Sequence, residues 1–523
     1  MQFVSDPSTS VKIQKMNQRV RWQDPLVVQR GIDQTRLSLD GNEDNPSEFS
    51  FMVIGDSGSG AHHTHNPQRA IAEKMLEHRD DCRFILHTGD VVYLVGSSEF
   101  YGRNFIEPYR EFLVGGEQPK TIAYDRMVFN LPFLPVLGNH DYYDLPRLFG
   151  LLAQTALPIR RLLQSKIDFD VGWHGSEQGN AYARAFMDCL SLINPAKLEQ
   201  HLDRHYIAQT DTGRCLQYEP KVFTRLPNRY YMFRQSGIDF FALDSNTFNA
   251  PLPLSQDTEG DERRQILQDR RVKVEQEKQE ILKQLNLPNS SQSLDADYLD
   301  DLRTRLEHLE ESGNDIDKQL NINSIVPVDQ AQLDWLQQRL IASWHTEGVR
   351  GRVIFFHHPP YVTEATKWDQ AQTLAIRCRL RQVLNRVVAA VGKQAEGRPI
   401  VDLVLNGHAH CFEYLRTGET GHGDAHINWL VCGGSGYSLR RQRPEGTDLT
   451  DSLLSARNRA DHLVARSHLF IGRTGQGLEK RRPYSFARID VKAGTPPKFV
   501  VRPLVAERYR HEWVDRWVEP FEI

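Results

Sequence analysis

Apolar residues recur along this chain as short unbroken runs, and five of the runs end in the same kind of chemistry. They are FMVIGDSGSG (Phe51–Gly60), FILHTGDVVY (Phe84–Tyr93), FLPVLGNHDY (Phe133–Tyr142), VIFFHHPPY (Val353–Tyr361) and VDLVLNGHAHCFEY (Val401–Tyr414). A run of this length bounded by turn residues predicts a strand buried on both faces. Parallel strands of that type deliver the residues at their C-terminal ends to one sheet edge, where open α/β sheets place their sites.

Between the runs the period changes. NPQRAIAEKMLEHR (Asn66–Arg79) carries Ala70, Ile71, Met75 and Leu76 at helical spacing, and a strand at Arg83–His87 comes next, so Phe51 to Asp90 reads as a βαβ unit. YYMFRQSG and IDFFALDSN (Tyr230–Asn246) alternate about Gly237 and predict a hairpin. VDQAQLDWLQQRL places Leu333, Leu336 and Leu340 on one helical face, and another helix is expected near Asp369–Val391. LPRLFGLLAQTALPIRRLLQ and NAYARAFMDCLSLI, after Asp141, are helix-like. YSFARIDV and KFVVRPLVAERY, near the end, are strand-like and would complete an outer sheet.

Two regions break this rhythm. Residues 1–48 are polar and weakly patterned, which predicts an extension lying over the core. Residues 256–323 are rich in Glu, Gln, Arg, Lys and Leu. Leu299, Leu302, Leu306, Leu309, Ile316 and Leu320 form a heptad seam broken at Gly313, while Leu267, Val274 and Ile281 recur every seven residues upstream. With NLPNSSQS as the turn, this predicts a coiled-coil-like helical hairpin. It splits the remaining domain into 49–255 and 324–523, and it either covers itself or serves as an arm for a protein partner or for self-association.

Composition narrows the function classes. The 523 residues are 39% hydrophobic and 25% charged, with a formal charge of −4, so nothing argues for an obligate nucleic-acid partner. No stretch reaches the roughly 18 apolar residues that span a bilayer, and the first residues lack a leader's apolar core, so a cytoplasmic location is expected. Six cysteines without C-x-x-C spacing are expected as buried free thiols.

Pooled, the five runs supply Asp56, Asp90, Tyr93, Asn139, His357, His408 and His410. Seven oxygen and nitrogen donors exceed what one ion uses, but two ions sharing a bridging carboxylate can use them. Hard oxygens beside imidazoles suit iron, manganese or zinc.

The ordered motifs GD-x-G, GD-x-x-Y, GNH-D, H-x-P and GH-x-H resemble those of the calcineurin-like metallophosphoesterase superfamily, and within it the purple acid phosphatase branch. The resemblance covers about Phe51 to Tyr437. It implies an α/β fold, a four-layer α/β/β/α sandwich with the hairpin inserted, and a binuclear centre of iron with iron, zinc or manganese. Asp56, Asp90, Tyr93 and His410 would hold the first ion, Asp90 would bridge, and Asn139, His357 and His408 would complete the second. H-x-P spacing selects His357 over His358. Many members carry a histidine two residues after the first aspartate; Gly58 stands there, and Tyr93 is the expected replacement. An ionised Tyr93 favours a trivalent–divalent pair, with a visible charge-transfer band in iron-loaded protein. His140 would face the phosphate and stabilise or protonate the leaving oxygen, with Asp141 orienting it.

The function implied is hydrolysis of a small phosphate monoester by a metal-bound hydroxide, acid phosphatase-like and without a phosphoenzyme. A phosphodiester substrate is the alternative enzyme reading, and a metal-free scaffold acting through the hairpin is the alternative from another class. His62, His63, His65 and His174 read as solvated loop residues, and His87 as a hydrogen-bonded core residue. Gly433, Gly434 and Gly436 read as a turn needing positive φ. Arg440 and Arg441 either meet an anionic substrate or lie in solvent.

Overall fold

Unbroken apolar runs are satisfied only by burial on both faces, and here two stacked sheets provide it. The computed structural model describes residues 5–39, 47–59, 65–144, 175–286, 296–322, 324, 326–450, 462–510 and 512–523. The helix-like stretch 145–164, His62, His63 and His174 lie outside the described residues.

In chain order the strands are β1 (Ile32–Ser38), β2 (Phe49–Ile54), β3 (Cys82–His87), β4 (Phe133–Pro135), β5 (Ala208–Thr210), β6 (Gly213–Gln217), β7 (Tyr231–Gln235), β8 (Ile238–Ala242) and β9 (Gly351–Phe355). They continue as β10 (Leu403–Asn406), β11 (Phe412–Thr417), β12 (Asn428–Cys432), β13 (Asp448–Thr450), β14 (Leu463–Ile471), β15 (Arg481–Val491), β16 (Phe499–Tyr509), β17 (Glu512–Arg516) and β18 (Phe521–Glu522). The larger sheet runs β13-β14-β11-β12-β10-β9-β8-β7-β1-β6-β5, and the smaller β17-β16-β15-β2-β3-β4, with β18 on β16.

The five blocks therefore do not share one sheet edge. The first three follow the parallel strands β2, β3 and β4 of the smaller sheet, and the last two follow the parallel strands β9 and β10 of the larger. Phenylalanines lock the sheets together: Phe51 and Phe84 of the smaller meet Phe240 of the larger, edge to face, at 5.5 and 5.3 Å between ring centres. Such geometry adds about 0.5–1.5 kcal/mol per pair beyond area burial. The larger sheet's other face buries Phe241, Ile354 and Phe356 with Leu336 and Leu340 from helix Gln330–His345 and Leu380 and Leu384 from helix Ala371–Val391. Helix Pro67–Leu76 packs against β15 and β16 outside the smaller sheet. The architecture is thus an α/β sandwich, helix on sheet on sheet on helix.

One expectation is corrected. Residues 1–48 do more than lie over the core: β1 sits inside the larger sheet, pairing in parallel with β6 and β7. Its sequence hid this because its polar side chains are buried with partners. Gln34 Nε2 donates to the Val20 carbonyl at 2.7 Å, and Thr35 Oγ1 accepts from Trp335 Nε1 at 2.9 Å. The two final strand-like runs do extend a sheet: β15 pairs with β2 and β16 with β15 in the smaller one.

The insertion consists of helices Thr258–Asn286 and Ala296–Asn321. Arg271–Asp317 and Lys278–Glu310, each 2.9 Å, and Arg305–Glu277 at 2.6 Å set them antiparallel. Leu267, Ile281, Leu309 and Ile316 are the buried seam. Among the described residues no helix is long and apolar enough to cross a membrane, and all six cysteines are free, five of them buried.

Candidate metal centre

Each block's polar residues begin just beyond a strand's C-terminal end, where the chain must turn sharply. Asp56, Asp90 and His408 all take left-handed backbone conformations, with φ of 53°, 55° and 64°. For non-glycine residues such conformations cost of order 1–3 kcal/mol and cluster at functional sites. Three of the seven predicted ligands are thus aimed by backbone the chain adopts at a cost.

The side chains converge. Tyr93 Oη lies 2.9 Å from Asp56 Oδ1, 2.8 Å from Asp90 Oδ2 and 3.3 Å from His410 Nε2. On the other side His357 Nε2 lies 3.2 Å from the same Asp90 Oδ2 and 3.0 Å from Asn139 Oδ1. Asp90 therefore stands between two half-sites, its other oxygen held by the His140 backbone N–H at 2.8 Å. The His408 ring is 5.0 Å from that of His357, and its Nε2 accepts from Gln372 Nε2 at 2.9 Å. Asp56, Asp90 and His357 offer ligand atoms within 4.8 Å of one another, and so do His357, His358 and His408.

Tautomers are set by the acceptors. His357 Nδ1 faces the Thr88 carbonyl at 2.8 Å and His410 Nδ1 faces the Ser438 carbonyl at 3.0 Å, so both Nδ1 atoms carry the proton. That turns each Nε2 towards the cluster, the arrangement metal-binding imidazoles take; without a cation the His357 Nε2 is protonated and donates to Asp90 Oδ2. His358 differs: Ser245 Oγ engages its Nδ1 at 2.8 Å, and Asn249 approaches its Nε2 at 3.5 Å.

The electrostatics are those of a cluster short of positive charge. Burial, then the charge of Asp90, pushes Asp56 up to about 7 against the pull of His357. Burial would raise Asp90 too, but His357 and His140 outweigh it and hold Asp90 low. His357 is raised to about 9: burial opposes its charge, and Asp90 overcomes that. Burial and the two carboxylates lift the Tyr93 phenol well above its ordinary range. Burial, then Lys367, pushes His410 down to about 3, and the same pair of causes holds His408 low. Two carboxylates, a phenol, an amide and three imidazoles, with a proton on His357 standing beside Asp90 where a cation would, form a donor set suited to hard or borderline metal ions. The residues fit the group.

No family model matches this sequence, and no curated protein matches it. Among solved structures the chain is similar to GAP50, the anchor in the inner membrane complex of Plasmodium, at 13% identity over 91% of this chain and 88% of that one, with a TM-score of 0.39. It is similar to purple acid phosphatase PPD1 from yellow lupin (Lupinus luteus) seeds at 11% identity, covering 91% of this chain but about half, 53%, of the lupin chain, with a TM-score of 0.39. It is similar to PhoD at 11% identity over 92% and 71% of the two chains, with a TM-score of 0.40. Likeness at that level assigns no activity; the site's geometry has to.

Asp141 does not orient His140, which corrects the expected role. Its carboxylate accepts from the backbone N–H groups of Gly138 at 2.9 Å and of Asp90 and Val91 at 3.1 Å, tying the third block to the second. His140 is oriented by the Leu94 carbonyl, 2.5 Å from Nδ1. Gly58 is set by close approach: a Cβ there would lie 2.0 Å from the Val91 carbonyl oxygen, leaving no room for a histidine. Gly433, Gly434 and Gly436 do not need positive φ; a Cβ on Gly436 would sit 2.2 Å from the Ser57 carbonyl oxygen.

His87 is a core residue, 2.9 Å from Ser57 Oγ, and His65 lies against Tyr484 and Trp513. Arg440 is buried, whereas Arg441 is half-buried and donates to the Gly475 carbonyl. Sequence reasoning missed several residues. Tyr437 stacks on Tyr93 at 4.0 Å and 12°. Glu311, Lys318, Lys367, Gln370 and Gln372 line the cavity of about 340 Å³ above Asp90, Asn139, His140, His408 and His410. The GGSGY loop pointed towards Tyr437; no local signal marked the others.

Proposed function

We propose that the chain is a binuclear metal-dependent phosphoesterase acting on small phosphate monoesters. The observation that carries this is the position of Asp90 Oδ2, 2.8 Å from Tyr93 Oη and 3.2 Å from His357 Nε2, joining two half-sites of matched donors. Asp56, Tyr93 and His410 with Asp90 would hold one ion, and Asn139, His357 and His408 with Asp90 the other. Bound there, two cations supply an activated water near neutral pH and neutralise phosphate oxygens during in-line attack.

The chain's own residues do the rest. Asp90 and Asp56 keep the half-sites in register, each tied to a backbone N–H of another block, His140 and His408 respectively. Gln372 would have to release His408 Nε2 on loading. His140 borders the cavity where a leaving oxygen would sit. With Nδ1–H donated to Leu94, its Nε2 accepts a proton and returns one only when doubly protonated. Burial lowers His140, so that role favours acidic conditions.

The test is metal analysis of the purified protein coupled to turnover of mono- and bis-nitrophenyl phosphate. Two ions per chain and faster monoester hydrolysis are expected. One ion, or none together with no hydrolysis after loading, sinks the reading, and faster diester turnover replaces the substrate class.

A further inference from the structure

The insertion does not stand clear of the catalytic body. The middle of its second helix forms one wall of the cavity over the site, with Glu310, Glu311, Asn314, Asp315 and Lys318 facing Lys367, Arg440 and the site histidines. Asp315 accepts the backbone N–H of Ala371 at 3.0 Å, pinning that helix to the start of helix Ala371–Val391. One turn earlier Glu311 pairs with Lys367, accepts from Gln370 Nε2 at 3.0 Å and lies 3.7 Å from Arg440 Nη2. Gln370 in turn accepts from Gln372 at 2.8 Å, and Gln372 reaches His408. A continuous polar chain therefore runs from the insertion to a candidate ligand.

Lys367 is the unusual member. It is only 4% exposed, yet it lines this cavity, and its charge is felt by His140, His408 and His410. A buried ammonium costs several kcal/mol to desolvate; Glu311 accepts one of its three N–H donors, and the Glu364 carboxylate adds its charge nearby. Its side chain lines the space above Asp90, Asn139, His140, His408 and His410, where substrate would bind.

We propose that Lys367 binds the phosphate group of the substrate and that Glu311, delivered by the insertion, is the residue that positions it. The insertion then builds the substrate pocket, and the wall it forms restricts access to small or flexible phosphorylated molecules. This rests on the phosphoesterase reading above. Glu311 holds the Lys367 ammonium over the cavity, and an incoming phosphate oxygen accepts from its free N–H groups beside the metal-binding side chains.

The test is calorimetric binding of inorganic phosphate to the metal-loaded full chain, with nitrophenyl phosphate kinetics alongside. Lys367→Met is expected to weaken phosphate binding about 10–100-fold, the range of a lost charge-assisted hydrogen bond. Lys367→Arg should recover part of the loss, and the isosteric Glu311→Gln should weaken binding several-fold with KM rising more than kcat falls. The double variant Glu311→Gln/Lys367→Met should bind no worse than Lys367→Met alone, because the two act as one unit. A purely structural ion pair would lower Tm in these variants and leave the phosphate Kd unchanged; that result overturns the inference. Wild-type protein that is metal-loaded but neither binds phosphate nor hydrolyses the ester removes the phosphoesterase reading, and this inference with it. Wild-type protein that does both while Glu311→Gln and Lys367→Met bind phosphate normally removes the inference alone. Should Lys367→Met fail to fold, Glu311→Gln, on the partly exposed helix, carries the test.

Discussion

The strand-end cluster and the helical insertion are both rich in charge, and they are stabilised in opposite ways. In the cluster every predicted ligand is buried and several hold two or more polar partners. Burial and neighbouring charge together raise Asp56 to about 7, and Asp90 raises His357 to about 9 against burial. Along the insertion, ion pairs such as Arg271–Asp317 and Lys278–Glu310 are half exposed to solvent, where each contributes about 0.2–1 kcal/mol. The lesson is that charge acts according to its surroundings. Dry charges near one another create a demand for a cation, whereas wet ones only trim the packing of a two-helix seam. The insertion meets the body at Glu311 and Asp315, where its carboxylates are partly buried against Lys367 and the Ala371 backbone.

The comparison is broken most readily at Asp90. Asp90→Asn removes the one carboxylate shared by both half-sites, and metal affinity should fall by more than the roughly 10–100-fold typical of outer-sphere positions. Equilibrium dialysis with elemental analysis measures it. Retention of two ions would mean that Asp90 does not join the half-sites.

The hydrophobic frame is the next largest effect. Phe84→Ala opens a hole between the sheets where Phe84 meets Phe51, Phe233 and Phe240, and should cost about 3–5 kcal/mol in denaturant unfolding. A cost under about 1 kcal/mol would show that the sheets are not locked there.

The third prediction sharpens the contrast through pH. In the metal-free chain Asp56 is raised from 3.8 to about 7 and His357 from 6.5 to about 9, burial leading for Asp56 and Asp90 overcoming burial for His357. Both groups hold a proton more tightly folded than unfolded. Asp56's contribution to stability is therefore lost as pH rises from about 4 to about 7, and that of His357 from about 6.5 to about 9. Asp90, held low, acts in the opposite sense below about pH 4, and the imidazoles that burial lowers, His410 to about 3 with His408 and His140, act in the opposite sense up to about pH 6.5. Tm in the presence of a chelator should therefore fall between about pH 6.5 and about pH 9, and saturating metal should flatten the slope. A flat chelated profile would show that the cluster carries no such strain.

The smallest effect belongs to the insertion's surface. Arg271→Gln should change stability by less than about 1 kcal/mol and leave metal content untouched. A larger loss would mean that the wet ion pairs hold the hairpin after all.

Much of the candidate cluster was legible because its geometry is local. A buried strand, a tight turn and a ligand make a fixed sequence unit, and repeating the unit five times is hard to mistake. That is why Asp56, Asp90, Tyr93, Asn139, His357, His408 and His410 were named from one sequence, and why Gly58 was noticed as departing from a pattern. Roles that depend on neighbours distant in sequence were not legible. Asp141 adjoins His140 in the chain, yet its three partners are backbone amides of two blocks. β1 reads as polar because its burial is satisfied by partners such as Trp335, some 300 residues away.

By itself the sequence determined which segments are buried strands, which donors lie at their ends and that a charged helical pair interrupts the body, because periodicity and turn chemistry are properties of consecutive residues. Only the tertiary structure decided that the five blocks divide between two sheets, that the Asp141 carboxylate holds backbone amides of two blocks, and that Glu311 reaches Lys367. Those outcomes depend on which surfaces meet and which groups lose water together, and nothing in a local run of residues specifies that.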